Sequence, residues 1–237
     1  GRPVIKFESQ SASTICGSWM HTTAGTNRIL LVHVSKSGGA SPAPTVSYAG
    51  VPLSLLSSGT AGFGNVSQFV FYLRDPEPTL GENTVSVSGG TNCAATSYSG
   101  VRLEKPIAGS SVSANACSTY IWNGSYWVCD PSHGSHPANC LVNGQPTTNN
   151  FDMIGVCSIA YTGSSGVTTS YGSGSPLGNP IQLSNNISSS IGLGVSYKFY
   201  DFETNWPNAF FYMFSWNNPS GAKYDWAVVN VLLKPAI

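Results

Sequence analysis

The sequence predicts an all-β fold, either a sandwich or a barrel, on three observations. Polar and apolar residues alternate with a period of two along several segments, most clearly along residues 191–200. Other runs are rich in β-branched and aromatic residues, which favour strands over helices. Turn signals built from Gly, Pro, Asn and Ser separate these runs, and no segment shows a convincing helical periodicity.

The predicted strands are of two kinds. Strict alternation along residues 84–88 and 191–200 indicates strands with one buried and one solvent-exposed face. Other runs are apolar on both faces, which predicts strands in the middle of a sandwich or strands covered by a neighbouring subunit. These two-sided runs are residues 29–34, 69–73, 210–214 and 227–233.

Turn signals mark the boundaries between the strands. Residues 118–129 predict a β-hairpin around Asn123-Gly124, because Asn-Gly is the favoured two-residue turn. The other turn signals are at residues 37–39, 58–59, 89–90, 143–144, 163–166 and 218–221.

The predicted strands are assigned to a single sandwich domain, residues 1–237, because neither half shows a full set of strands by itself. Residues 104–115 are then a crossover inside this sandwich. The alternative is that they link two sandwich halves, residues 1–103 and 116–237. No true repeat is visible, and the similar segments 47–51 and 97–101 are interpreted as similar strand ends.

The composition replaces charge with small polar residues. Charged residues make up 8% of the 237 residues, the formal net charge is zero, and Ser, Thr and Asn total 71. Ten scattered cations give no electrostatic surface for a nucleic-acid backbone. No apolar run is long enough to span a membrane. A neutral surface repels copies of itself weakly, which suits either a protein that packs into an assembly or an ordinary extracellular domain.

The strand motifs resemble a known group of proteins. The motifs are residues 4–9, 19–22, 27–32, 46–51, 71–73 followed by Pro76, 84–88, 97–101 and 226–235. Together they are similar to uncharacterised β-sandwich proteins of tailed phages and of bacterial surface or secreted proteins. The resemblance implies an antiparallel, jelly-roll-like sandwich with a structural or surface role. Residues 117–140 depart from this pattern and are expected to form a cysteine-rich inserted hairpin and loop. No functional residue can be carried over.

The even number of cysteines predicts disulfides. We expect at least one bridge within Cys117, Cys129 and Cys140, where the chain is rich in Pro and Gly. The remaining cysteines, Cys16, Cys93 and Cys157, lie in strand-like runs, where two of them could bridge neighbouring strands or remain as buried thiols.

One segment has a metal-like composition. Cys129, His133, His136 and Cys140 could surround a tetrahedral Zn²⁺. Their spacing is not a common zinc-finger spacing, so the preferred interpretation is a disulfide-closed loop with two exposed histidines and no metal.

No catalytic constellation is predicted, because neither a nucleophile elbow nor a phosphate-binding loop is present. Asp201 and Glu203 would share a strand face, as a glycosidase pair or with Asn205 around Ca²⁺, but this segment is interpreted as a strand end. His21 and His33 are expected to be structural or solvent-facing. Arg28 and Arg74 are expected to bind carboxylates or backbone carbonyls at a sheet edge.

Two groups of surface residues are candidate carbohydrate positions. Trp122, Tyr126 and Trp127 on the predicted hairpin are candidates for stacking on sugar rings, although covering the apolar face of their own hairpin is the preferred interpretation. Three triplets match the glycosylation signal, at Asn65, Asn123 and Asn186.

The function predicted from these observations is that of a non-enzymatic structural protein on a virion or extracellular surface. It would be a self-assembling subunit or decoration of a virion, fibre or other extracellular assembly, with copies of itself or other subunits as partners. Residues 2–8 could be an arm that adds a strand to a neighbour's sheet. The alternative function is a carbohydrate-binding β-sandwich module with surface glycans as partners. We expect no cofactor, no nucleic-acid partner and no membrane insertion.

Overall fold

The computed structural model describes residues 4–75, 81–113, 120–129, 138–140, 152–163, 166–170, 180–200, 214–217 and 224–236. Within these ranges the chain forms β-strands, turns and connections but no helix. The strands of the first half are β1 (Lys6–Ser13), β2 (Gly17–Thr23), β3 (Ile29–Ser37), β4 (Thr45–Tyr48), β5 (Val51–Pro52), β6 (Ser54–Thr60), β7 (Val66–Arg74), β8 (Gly81–Ser88) and β9 (Asn92–Ser99). Those of the second half are β10 (Ile107–Ser113), β11 (Tyr120–Trp122), β12 (Trp127–Cys129), β13 (Ala138–Cys140), β14 (Met153–Thr162), β15 (Thr168–Ser170), β16 (Ile181–Ser188), β17 (Ile191–Tyr200), β18 (Phe214–Asn217) and β19 (Trp226–Leu233).

The first nine strands form an antiparallel jelly roll. One sheet has the order β1-β9-β3-β7-β6 and the other the order β2-β8-β4-β5. The first strand therefore pairs with the last, the second with the second-last, and β3 with β7, which is the winding of a jelly roll. The predicted all-β, jelly-roll-like sandwich is confirmed.

The second half repeats this topology. Its larger sheet has the order β10-β19-β14-β17-β16, and a three-stranded sheet has the order β13-β18-β15. The two five-stranded sheets have equivalent strand orders. In the second sheet, β10 takes the place of β1, β19 that of β9, β14 that of β3, β17 that of β7 and β16 that of β6. Both rolls also place a bulge at a leucine in the last edge strand, Leu56 in β6 and Leu183 in β16. The sequence shows no such repeat, because the halves share a pattern of burial and pairing rather than residues.

The four main sheets are stacked as four layers with three cores between them. Within the first roll, Leu30, Val32, Phe69 and Phe71 of the five-stranded sheet pack against Tyr48, Val85 and Val87 of the four-stranded sheet. Within the second roll, Cys157, Ile159 and Val228 pack against Trp216. The two five-stranded sheets face each other through Ile29, Leu31, Val70, Val156, Val195 and Val229.

This arrangement explains the strands that are apolar on both faces. Residues 29–34, 69–73 and 227–233 belong to β3, β7 and β19, which lie in the two inner sheets and are covered on both faces. One face is covered by the outer sheet of the same roll and the other by the inner sheet of the other roll, so no neighbouring subunit is needed to bury these faces. Of the fourth run, residues 210–214, only Phe214 lies within the described residues.

The two inner sheets meet in a pseudo-twofold arrangement. The middle strand β3 contacts its own counterpart, β14. Strand β7 contacts β19. The counterparts of these two strands in the other roll are β17 and β9, and they also contact each other. Such reciprocal pairing defines an isologous interface, here formed between the two halves of one chain. Gln68 crosses this interface by donating from its side-chain amide to Ser158 Oγ at 3.1 Å.

The N-terminal segment is held by its own chain. Ile5 is buried in the core between the inner sheets, β1 pairs with β9, and the Phe7 ring stacks on Tyr197 with the ring centroids 4.9 Å apart. The segment 2–8 predicted as an exchanging arm therefore contributes an edge strand to its own sheet from Lys6 onward, and donating it to a neighbour would break these contacts.

One expectation about the middle of the chain needs correction, whereas the inserted hairpin is present. Residues 104–115 were predicted to be a crossover or a linker, but they contain the edge strand β10, which pairs with β19 through all of its residues. The chain passes from the first roll to the second between β9 and β10. The segment 117–140 includes the predicted hairpin, β11 and β12, but its end, β13, pairs with β18 as part of the second roll. The assignment of residues 1–237 to a single domain, rather than to two halves, stays a prediction.

Two disulfides link inner and outer sheets. Cys16, in the turn before β2, pairs with Cys93 of β9, and Cys140 of β13 pairs with Cys157 of β14. Within the described ranges, one bridge therefore joins the two sheets of each roll. Disulfides persist in oxidising compartments, so this pairing indicates an extracellular environment. The described part of the chain contains no helix with the length and hydropathy needed to cross a bilayer.

Candidate functional site

The hairpin formed by β11 and β12 presents the predicted aromatic cluster to solvent. Trp122 pairs with Trp127 across the two strands, and their rings meet edge to face with centroids 5.7 Å apart. The exposed fractions of Trp122, Tyr126 and Trp127 are 55%, 63% and 65%. All three rings are therefore exposed at one tip of the fold. Whether they bind sugar rings or cover their own hairpin stays a prediction.

The hairpin loop is one residue out of register with the predicted turn. Asn123 N–H donates to the Tyr126 carbonyl at 3.1 Å, so the two central residues are Gly124 and Ser125 rather than Asn123 and Gly124. Gly124 has a φ of 102°, which a residue with a side chain rarely adopts. Asn123 Oδ1 accepts from the backbone N–H groups of Ser125 and Tyr126, both at 2.9 Å. This capping role of the side chain selects the register and holds the tip.

His21 is buried between the sheets of the first roll and is engaged through both ring nitrogens. Ser11 Oγ lies 2.7 Å from Nδ1 and Ser9 Oγ lies 3.4 Å from Nε2. Trp19 Nε1–H donates to Ser11 Oγ at 2.8 Å, so this hydroxyl links Trp19 and His21. Burial lowers the pKa of His21 from 6.5 to about 4. The imidazole is therefore neutral at neutral pH and is itself buried, whereas Ser9 and Ser11 are partly exposed.

His33 occupies the core between the two rolls. Its Nε2 lies 2.9 Å from Thr96 Oγ1, and burial lowers the pKa of His33 from 6.5 to about 3. The ring is therefore neutral and structural at physiological pH. Like His21, it belongs to the folded framework rather than to an exposed reactive site.

The cysteine pairing excludes the zinc set that the sequence offers as the less favoured alternative. Cys140 is bonded to Cys157, so it cannot offer a thiolate to a metal together with Cys129, and it does not close a loop with Cys129 or Cys117. His133, His136 and Cys117 lie outside the described residues, as do Asp201, Glu203 and Asn205. No three His, Cys, Asp or Glu side chains of the described ranges come together as metal ligands would.

The three glycosylation triplets lie at exposed positions in the fold. Asn65, in the turn before β7, donates from Nδ2 to Asp225 Oδ2 at 2.5 Å. Asn186 lies on the edge strand β16. Asn123 lies in the loop of the aromatic hairpin, where an attached glycan would stand beside the three exposed rings.

Arg74 has the role expected for an arginine at a sheet edge. Its guanidinium donates to the backbone carbonyls of Arg28 and Val101, to that of Arg102 at 3.1 Å, and to Asp75 Oδ1 at 2.9 Å. These bonds tie the end of β7 to the connection between the rolls. The backbone N–H of Arg28 donates to Asp75 Oδ1 at 2.9 Å.

One strand that sequence reasoning missed is β10. Its residues, Ile-Ala-Gly-Ser-Ser-Val-Ser, are mostly small and give no clear alternation, so the only signal is the β-propensity of Ile107 and Val112. The strand matters because it forms an open edge of an inner sheet.

Comparison of the chain with known protein families, with curated proteins and with solved structures finds no match.

Proposed function

We propose that this protein is a non-enzymatic structural protein: a self-assembling subunit or decoration of a virion, a fibre or another extracellular assembly. The observation that carries the proposal is the open edge of β10. Both described histidines, His21 and His33, are buried within the fold, which supports a role without catalysis. The jelly roll is also the fold of many capsid and lectin domains, which is support by analogy only.

The four edges of the inner sheets differ in their protection. Natural proteins protect exposed edges from pairing with other chains by bulges, charges or proline. The edge strands β1, β6 and β16 each contain a register shift, and β1 also carries Lys6 and Glu8. Strand β10 has an uninterrupted register with β19 and neither charge nor proline. It is therefore the inner-sheet edge best suited to accept a strand from another subunit.

The neighbouring edge enlarges this surface. Strand β6 of the first roll contacts β10 of the second, so the two inner sheets end side by side. Val112 of β10 and Leu55 of β6 are exposed on these edges, and neither strand contains a charged residue. A partner with two matching edges would extend both inner sheets at once, with antiparallel hydrogen bonds providing the register. The partner we propose is another copy of this chain or another subunit of the same assembly.

A charge placed on β10 tests the proposal. We expect the wild-type protein to form oligomers in light-scattering chromatography and ordered particles or filaments in electron micrographs. Ser110→Lys should reduce assembly at least tenfold, because a lysine on an edge strand opposes pairing. The matched control is Ala12→Lys, since Ala12 pairs with Ala94 of β9 in the first roll as Ser110 pairs with Val229 of β19 in the second. This control should assemble like the wild type.

Two results would contradict these proposals separately. A wild-type protein that stays monomeric at millimolar concentration would rule out a self-assembling subunit. Wild-type-like assembly of Ser110→Lys, with an unchanged melting temperature, would leave the structural role standing but would exclude the β10 edge as the contact.

The aromatic hairpin favours a second candidate function, a carbohydrate-binding module. An exposed tryptophan ring can stack on the apolar face of a sugar, and Trp122 and Trp127 are available for this at the tip. We expect binding on a glycan array or to insoluble polysaccharides to fall at least tenfold in Trp122→Ala or Trp127→Ala. Phe63→Ala, which removes another exposed aromatic ring from a different loop, is the control. Equal binding by all four proteins would exclude the hairpin as a sugar site.

A further inference from the structure

A cleft of about 260 Å³ opens where the chain passes from the first roll to the second. One wall is the connection between β9 and β10, and the other is the end of β19. A wider neighbouring cleft of about 560 Å³ shares Arg102 and Glu104 with it. The volume of the first cleft lies just below the range of about 300–1,000 Å³ that is typical of sites for drug-sized ligands, so its ligand would be smaller.

The cleft concentrates positive charge in a protein that has little charge elsewhere. Arg102, Lys105 and Lys234 are three of the ten cations of the chain, and they line this one cleft. The cleft contains one carboxylate, Glu104, whose Oε2 lies 3.6 Å from Arg102 Nε and whose side chain is 71% exposed. The local excess of positive charge would be balanced by a bound anion.

Lys234 carries the clearest sign of this excess. Burial lowers its pKa, the positive charge of Arg102 lowers it further, and Glu104 acts in the opposite direction. An anion bound beside Lys234 would relieve the repulsion between the two cations and favour the charged form of the lysine.

The backbone around the cleft is held in place before any ligand arrives. Arg102 N–H donates to the Lys234 carbonyl at 3.0 Å, and Arg102 Nε donates to the Pro235 carbonyl at 3.2 Å. From the other side, Arg74 Nε donates to the Arg102 carbonyl at 3.1 Å. A site that is already ordered loses less conformational entropy on binding. Because Arg102 is engaged in the framework, Lys105 and Lys234 are the groups available to a ligand.

The other lining residues define the rest of the ligand. Pro106 and Ile107, both half-buried, give the cleft an apolar surface beside its charged rim, in front of the buried Val101, Leu232 and Leu233. Inorganic anions would leave this surface without a partner, whereas an organic anion would cover it. We propose that this cleft binds a small organic carboxylate, whose charged group contacts Lys105 and Lys234 and whose apolar body contacts Pro106 and Ile107. The site includes only the first residue of β10, Ile107, lies apart from the aromatic hairpin, and does not depend on either proposed function.

Titration of the full chain with benzoate, followed by calorimetry and by backbone amide shifts, tests the inference. We expect saturable binding at low salt, with the largest shifts in residues 101–107 and 232–234. The variant with Lys105→Gln and Lys234→Gln together should bind at least tenfold more weakly. Lys6→Gln removes an exposed lysine of β1 and should bind like the wild type. Benzamide, which has the shape of benzoate without its charge, should not bind measurably.

The site is refuted as an anion site if benzamide binds as tightly as benzoate or if the double variant binds like the wild type. Binding of inorganic phosphate as tight as that of benzoate would show that the apolar wall contributes nothing, which overturns the proposed ligand class. A wild-type protein that shows no benzoate binding at low salt would also overturn the proposal.

Discussion

The two buried histidines predict a specific loss of stability in mild acid. In the unfolded chain a histidine has a pKa near 6.5, whereas burial lowers the pKa to about 4 for His21 and to about 3 for His33. Below pH 6.5 the unfolded state therefore binds protons that the folded state does not bind, and the free energy of unfolding falls as the pH falls. The effect begins near pH 6.5 and levels off for each histidine near its folded-state pKa.

The magnitude follows from the linkage relation. Each such group lowers the free energy of unfolding by about 1.4 kcal/mol per pH unit below 6.5, so at pH 5 each histidine costs about 2 kcal/mol. The two together cost about 4 kcal/mol between pH 7.5 and pH 5, which is a large part of the 5–15 kcal/mol typical of a domain. Most carboxylates titrate below this window, so the histidines dominate it.

Urea denaturation at pH 7.5, 6 and 5 measures this loss. We expect His33→Gln to reduce the loss between pH 7.5 and pH 5 by about 2 kcal/mol, and the double variant with His21→Gln to abolish most of it. Each substitution also removes packing and hydrogen bonds, but that cost is nearly the same at all three pH values and does not affect the difference. Equal wild-type stability at pH 7.5 and pH 5, or an unchanged loss in His33→Gln, would refute the assignment of these rings as buried and neutral.

Two further predictions concern covalent and packing constraints in the rolls. Replacing Cys16 and Cys93 together by Ala should lower the free energy of unfolding by about 4.5 kcal/mol in the chain-entropy model, because the bridge joins residues separated by 77 positions. Removing the other bridge, with its separation of 17, should lower it by about 3 kcal/mol. Equal losses of unfolding free energy in denaturant melts would contradict the chain-entropy account. Gly192→Ala should destabilise the protein by about 1–3 kcal/mol, because its Cβ would overlap the buried Tyr161 ring. Gly39→Ala, where the new Cβ meets nothing within 4 Å, is the control, and an equal melting temperature for both variants would refute this account.

The fold class could be predicted from the sequence because it depends on local patterns. Period-two alternation, β-branched runs and glycine turns act within a few residues, and they identify β3, β7, β17 and β19. The hairpin with Trp122 and Trp127 was predicted for the same reason. Its turn was misplaced by one residue, because the side chain of Asn123 caps the loop instead of sitting at a central turn position.

The long-range features could not be predicted from the sequence. Cys16 and Cys93 are brought together by the winding of the roll, and Cys140 pairs with Cys157 because β13 belongs to the outer sheet of the second roll. Neither relation leaves a local trace. The cleft beside Lys234 has the same character, since its cations come from the middle and the end of the chain. Residues 104–115 were not predicted to contain a strand, because a strand of small residues has no alternating pattern in the sequence.

The back-to-back placement of the two rolls also determines what the molecule can reach. Sheets pack about 10 Å apart, so the outermost layers, β2-β8-β4-β5 and β13-β18-β15, lie about 30 Å from each other and look in opposite directions. A small ligand therefore cannot touch both. If one of these layers bound to a surface, the other would lie at a fixed distance from that surface. The two disulfide-linked rolls would then act as a rigid spacer.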